Sequence, residues 1–242
     1  IFDLTSSKDK FTSKNNIAII NYESQVTHQS VEEVIKKFEK VRASKDKYKK
    51  VIFTINSPGG SPEASEELAE YIKWFSKDII PVMGYVKGYA LSGGYYIASS
   101  FDKVRANKNA LIGSIGVIMP HFNLKPLADK LGVESDNVAY GEHKELIPMI
   151  GKVSEDQKKY LKDNLLSKMY MNFVTSVANN RNLKTEDILK VAEGNVFIAT
   201  DERIKGVLVD EITSLIAIEN ELRKEYKDVK FIEISKDKKG II

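Results

Sequence analysis

The chain of 242 residues contains no cysteine, which excludes disulfides, a thiol nucleophile and thiolate metal ligands. The compartment stays open, because a chain of this size needs no disulfides anywhere. Histidine is scarce: His28, His121 and His143 are scattered and show no metal-ligand spacing, so no metal and no cofactor are expected. No apolar run approaches the roughly 20 residues that a membrane span requires. Neither sign of charge dominates, with 37 Lys and Arg against 34 Asp and Glu. The lysine-rich stretches at 45–50 and 236–239 are short, so nucleic acid is not an expected partner.

What remains is 42% hydrophobic, enough for a sizeable core. The chain starts at Ile1 rather than Met, and residues 1–15 are polar after the first few. We read 1–15 as a linker from a missing N-terminal membrane anchor and 16–242 as a single domain.

Short apolar runs at 17–20, 51–55 and 81–86 suit buried strands, with further strands expected at 103–106 and 113–119. Between them, Val31, Val34, Ile35, Phe38 and Val41 follow helical spacing behind Ser30 as the expected cap. Pro62 sits where a first-turn proline is tolerated, and an apolar helix should run through Tyr96 and Ala98. Such alternation predicts an α/β fold with right-handed crossovers and a largely parallel sheet. Beyond about residue 150 the pattern turns helical. Ser154 and Gln157 form a capping box before an amphipathic stretch reaching about Asn180, and Thr185 opens another helix. The runs at 207–210 and 230–234 are expected late strands.

Two glycine-rich turns follow successive strands. In Ser57-Pro58-Gly59-Gly60, bare backbone N–H groups at a helix start suit a developing negative charge. In Leu91-Ser92-Gly93-Gly94, a serine stands at the carboxyl end of a strand, where open α/β sheets place their sites. Together they supply a hydroxyl nucleophile and oxyanion donors for acyl transfer. Each turn alone also reads as an ordinary glycine turn, with Ser92 merely capping its helix.

The segments Asn56–Gly60, Leu91–Ala98, Ile112–Val117, Val196–Thr200 and Gly206–Asp210 resemble the signal peptide peptidase A family of Ser/Lys proteases, which has the ClpP/crotonase-like fold. The resemblance runs in order over about residues 17 to 215. It implies β-α-β repeats first and a helical C-terminal portion. It implies Ser92 as nucleophile, Gly59 and Gly93 as oxyanion-hole donors, and a lysine base about fifty residues downstream. Lys144 lies at that distance, with Ser114 in the place of the hydroxyl that orients the lysine amine. Relatives often read Ser/Gly-Lys-Tyr-Lys there, where this chain reads His143-Lys144-Glu145.

A lysine accepts a proton near neutrality only where burial disfavours its ammonium form. The expected substrates are remnant signal peptides and other hydrophobic peptides. The expected setting is a ring-shaped homo-oligomer held at the cell membrane by a single-pass anchor, with its protease domain extracytoplasmic. Three rivals stay open: a ClpP-like Ser-His-Asp protease, for which His121 is the candidate base, a crotonase-type acyl-CoA hydratase or hydrolase, and a non-catalytic peptide-binding scaffold.

Overall fold

The computed structural model describes residues 15–141 and 143–235. Apart from Asn15, the linker read at 1–15 lies outside the described residues, as does the lysine-rich stretch at 236–239. The chain divides into two compact units: residues 1–116 with 173–242, and residues 117–172 between them.

The first unit is built on strands β1 (Asn16–Tyr22), β2 (Tyr48–Ser57), β3 (Val82–Leu91), β4 (Arg105–Ala106), β5 (Leu111–Gly113), β6 (Val196–Ile198), β7 (Glu211–Ile212) and β8 (Lys230–Glu233). They form one sheet in the order β6-β5-β3-β2-β1-β8, with β4 and β7 branching from β3. Every pairing is parallel except β5 with β6. The branch arises because the early part of β3 pairs with β4 while Tyr89–Leu91 pairs with β5.

Helices α1 (His28–Ala43), α2 (Pro62–Asp78) and α3 (Gly93–Ser99) follow the first three strands. Thr27 caps α1, and Ser30 occupies the third helical position of the same capping box, which moves the expected start back by three residues. Ser61 caps α2, with Pro62 in its first turn. Strands buried on both faces must be apolar on both, and β2 shows why. Phe53 meets Phe38 of α1, which in turn meets Phe75 of α2 edge-on at 4.9 Å. Its neighbour Ile52 faces the other way, into a cluster with Ile17, Ile19, Ile218 and Leu222. The last two belong to the helix Leu215–Glu225.

The second unit holds α4 (Lys125–Leu131) and α5 (Glu155–Leu161), the latter capped by the expected Ser154–Gln157 box. A π-helical turn at Lys162–Leu166 leads into α6 (Ser167–Arg181). The amphipathic stretch predicted to Asn180 is therefore helical throughout. Then α7 (Thr185–Leu189) and α8 (Leu215–Glu225) complete the helices. The run at 207–210 is not a strand. Its residues lie in turns, with the Leu208 and Val209 amides bonded to the Ile204 carbonyl. The strand expected over 113–119 ends at Gly113.

Candidate active site

Strand β3 delivers Ser92 to a sharp turn into α3. Its backbone sits at φ 51° and ψ −124°, a conformation that a residue with a side chain rarely adopts. Holding it costs on the order of 1–3 kcal/mol, and the surroundings oppose that cost with hydrogen bonds. The Ser92 N–H donates to Gly113 O at 2.8 Å, and the Ser92 carbonyl accepts from Tyr95 N–H and Tyr96 N–H. The side chain makes no capping hydrogen bond to α3, which removes the reading of Ser92 as an ordinary helix cap. Ser92 is half-buried at the strand end, on the strand-to-helix turn.

The other glycine turn packs directly against this one. Gly59 has φ 102°, and a Cβ there would fall 2.7 Å from Ser92 Cβ and 3.0 Å from Gly93 N. Only glycine satisfies both the dihedral and the approach. A Cβ on Gly93 would fall 2.3 Å from Ser65 Oγ and 3.3 Å from Gly60 N. The two turns thus meet backbone to backbone beside Ser92. The Gly59 N–H donates to Ser57 Oγ at 3.2 Å, while the Gly60 N–H has no acceptor among the described residues.

Ser114 stands one residue beyond the carbonyl that holds Ser92. It too has positive φ, 52°, and its N–H donates to Asn195 O at 2.7 Å. The structure therefore gathers Ser92, Gly93, Gly59 and the backbone of Ser114 in the first unit. Lys144 belongs to the second unit, on an exposed turn where its N–H bonds Gly141 O at 3.1 Å. His121 is also in the second unit. Its Nε2 lies 2.7 Å from Gly151 O, and it lines a cavity of about 380 Å³ with Met119, Asn123, Ile147, Lys152 and Lys158. The His143 ring packs against Tyr160 at 4.4 Å, tilted by 37°. Among the described residues no three His, Asp or Glu side chains converge where a metal ion could be held.

Beyond Ser92, on α3, Tyr95 is fully buried and donates its hydroxyl to Leu208 O at 3.0 Å. Burial pushes its phenol well above the ordinary range, opposed by nearby Arg181 and reinforced by Asp210, so Tyr95 stays a neutral donor. Arg181 and Asp210 form a pair that ties α6 to the 204–210 segment. Sequence reasoning missed Ser57, Asn56 and Asn195. Asn56 Oδ1 accepts from Tyr89 N–H at 2.9 Å and pins a bulge in which two extra residues of β3 oppose β2. The only signal was the position of Asn56 and Ser57 ahead of the Pro-Gly-Gly turn.

The branched, mostly parallel sheet with helices following its first three strands is that of the ClpP/crotonase-like fold. At 13% identity and a TM-score of 0.59, the fold matches the solved structure of a membrane-bound stomatin-specific protease, 1510-N, covering 92% of this chain and 99% of that one. The model of peptidase family S49 matches residues 75–230, and that of the NfeD1b N-terminal domain matches 18–130. The chain belongs to peptidase family S49.

A provisionally named protease of Methanocaldococcus jannaschii is 35% identical over 167 residues, 69% of this chain and 53% of that protein. A provisionally named signal peptide peptidase SppA of Enterococcus faecium is 33% identical over 218 residues, 89% of this chain and 62% of that one. The chloroplastic serine protease SPPA of Arabidopsis thaliana is 32% identical over 184 residues, 76% of this chain and 27% of that one. The chain therefore spans less than two thirds of the length of each of these relatives.

Proposed function

We propose that this chain is the peptidase portion of a serine endopeptidase working by a Ser/Lys mechanism. The conformation of Ser92 carries the reading: a costly backbone geometry, fixed by three hydrogen bonds, at a half-buried hydroxyl that caps nothing. Ser92 attacks the peptide carbonyl, and Lys144, oriented by Ser114, takes its proton and returns it to the leaving amine. The carbonyl oxygen, negative in the tetrahedral intermediate, is received by the Gly93 N–H and, because the expected Gly59 donor is bonded to Ser57 Oγ, by the Gly60 N–H in its place. Water then hydrolyses the acyl-enzyme with the same lysine as base.

Lys144 is exposed on the single chain. A lysine base needs desolvation, so the reading requires that substrate or a second copy cover it. Its unit also exposes Ile118, Phe122, Leu131 and Met149, the last at 82%. Apolar exposure on that scale supports assembly of copies, in keeping with a ring. The substrates in this reading are remnant signal peptides and other hydrophobic peptides. The setting in this reading is a membrane, with a single-pass anchor holding an extracytoplasmic domain. Among the described residues no helix is long and apolar enough to cross a membrane.

The test is cleavage of a fluorogenic apolar peptide by wild type, Ser92→Ala, Lys144→Ala and His121→Ala. Ser92→Ala should fall to background, Lys144→Ala should lose at least about 100-fold, and His121→Ala should stay active. An active Lys144→Ala beside an inactive Ser92→Ala would place the base elsewhere. An active Ser92→Ala would end the reading.

A further inference from the structure

We propose that Ser57 is a positioning residue for the oxyanion hole: its buried hydroxyl holds the Gly59–Gly60 turn so that one backbone N–H faces the reacting carbonyl. The inference rests on Ser92 being the nucleophile.

Ser57 is the last residue of β2 and is completely buried. It touches both turns. It pairs in register with Ala90, two residues before Ser92. Its carbonyl oxygen lies 2.7 Å from where Gly94 would carry a Cβ, so its backbone abuts the first turn of α3. Its Oγ accepts the Gly59 N–H at 3.2 Å.

The geometry of the next peptide follows. The Gly59 carbonyl accepts from Val26 N–H at 2.8 Å. In a trans peptide the N–H points opposite to the carbonyl, so the Gly60 N–H is turned away from Val26. The Gly60 nitrogen lies close to Gly93, 3.3 Å from the site of an absent Cβ. Two peptide planes in sequence are therefore clamped, the first by Ser57 and the second by Val26. Gly59, the joint between them, has φ 102° and would otherwise be the loosest point of the turn. Without the Ser57 hydroxyl the buried Gly59 N–H has no acceptor and the joint rotates to find one. The aim of the Gly60 N–H then changes with it.

Such a role predicts a loss that grows at the transition state. An oxyanion donor removed outright costs about 10²–10³ in kcat, so a misaimed one should cost about 10–100-fold. The experiment measures kcat and KM for a fluorogenic apolar peptide, and the affinity of the peptide aldehyde of the same sequence. That aldehyde forms a hemiacetal with the Ser92 hydroxyl and so places an oxygen in the hole. Ser57→Ala removes the acceptor. Ser57→Cys fills the same space with a poor acceptor and keeps the test alive if the alanine variant does not fold.

Both variants should lose kcat about 10–100-fold with KM within about twofold, and aldehyde affinity should fall by the same factor as kcat. Wild-type kcat and aldehyde affinity in Ser57→Cys would overturn the proposal. So would a rise in KM with kcat unchanged, which marks a packing role. If Ser92→Ala cleaves as fast as wild type, the parent reading fails instead, and that variant is measured alongside to separate the two failures.

Discussion

Replacing Asp210 by alanine tests how firmly α6 is tied to the 204–210 segment. Asp210 Oδ1 accepts from the Arg181 guanidinium, and its Oδ2 accepts from Val104 N–H at 2.7 Å. The Arg181 side chain is only 5% exposed, and its Nε also donates to Val207 O at 3.0 Å. The alanine variant strands a buried guanidinium with one remaining bond and leaves a backbone donor without its carboxylate. Breaking a buried pair costs about 3–5 kcal/mol. An orphaned donor adds about 1–3 kcal/mol. The Asp210 side chain is 25% exposed, so water reaches the vacated space and offsets part of both, leaving a loss of about 3 kcal/mol. For a chain of this length that is a fall in Tm of about 6–12 °C, at roughly 2–4 °C per kcal/mol. Thermal melting measures it. The double variant Arg181→Met with Asp210→Leu, which replaces the pair by apolar volume, should recover more than half of the loss. The reasoning is refuted if Asp210→Ala melts within 1 °C of wild type. It is equally refuted if the double variant is no more stable than Asp210→Ala.

The same carboxylate should be felt in acid. Burial raises the Asp210 carboxyl, but the Arg181 guanidinium and the Val104 N–H outweigh it and hold it below the usual range. Because the folded value is the lower one, its contribution is present above the unfolded value of about 3.9 and is lost as pH falls through the folded value. Urea melts of wild type and Asp210→Asn should therefore differ at pH 7, with the gap narrowing as acid protonates the folded carboxylate, and a gap that does not narrow in acid would refute the assignment. Gly84→Ala should destabilise by about 2–3 kcal/mol, because a Cβ would lie 1.9 Å from Cδ2 of the buried Phe101 ring. Urea melts should show the loss halved or better when Phe101→Leu accompanies it, and strict additivity of the two changes would count against steric overlap.

The first three strands were legible because a sheet covered on both faces needs unbroken β-branched and apolar runs, as in Val51–Ile55. The extension of the fifth strand to 119 failed for a backbone reason. Gly113 and Ser114 both take positive φ and turn the chain out of the sheet. Leu208 and Val209 misled in the opposite way, since they are buried under turns rather than within the sheet. The helix at Leu215–Glu225 escaped notice, although Ser214 caps it and its buried face carries Ile218 and Leu222. At the site, the turn carrying Ser92 and Gly93 was legible because serine and glycine after an apolar run mark the end of a strand. Ser57 was not, because one hydroxyl accepting one N–H leaves no pattern in a sequence. The exposure of Lys144 was equally invisible, since nothing in the order of residues reports what covers a turn.

The place of β1 in the sheet bears on synthesis. One of its edges pairs with β2, and the other pairs with β8 through Asn16–Lys230 to Ile19–Glu233. From the end of β2 at Ser57 to the end of β8 at Glu233 is 176 residues (233 − 57). At roughly 5–20 residues per second, the ribosome needs about 10–35 s to cover that distance. Throughout that interval the nascent β1 carries an unpaired apolar edge, Ile17-Ala18-Ile19-Ile20, with its proper partner not yet made. A growing chain of this fold therefore presents that open edge to other chains until β8 emerges. Truncations that remove β8 should aggregate during translation rather than fold into a smaller version of the sheet.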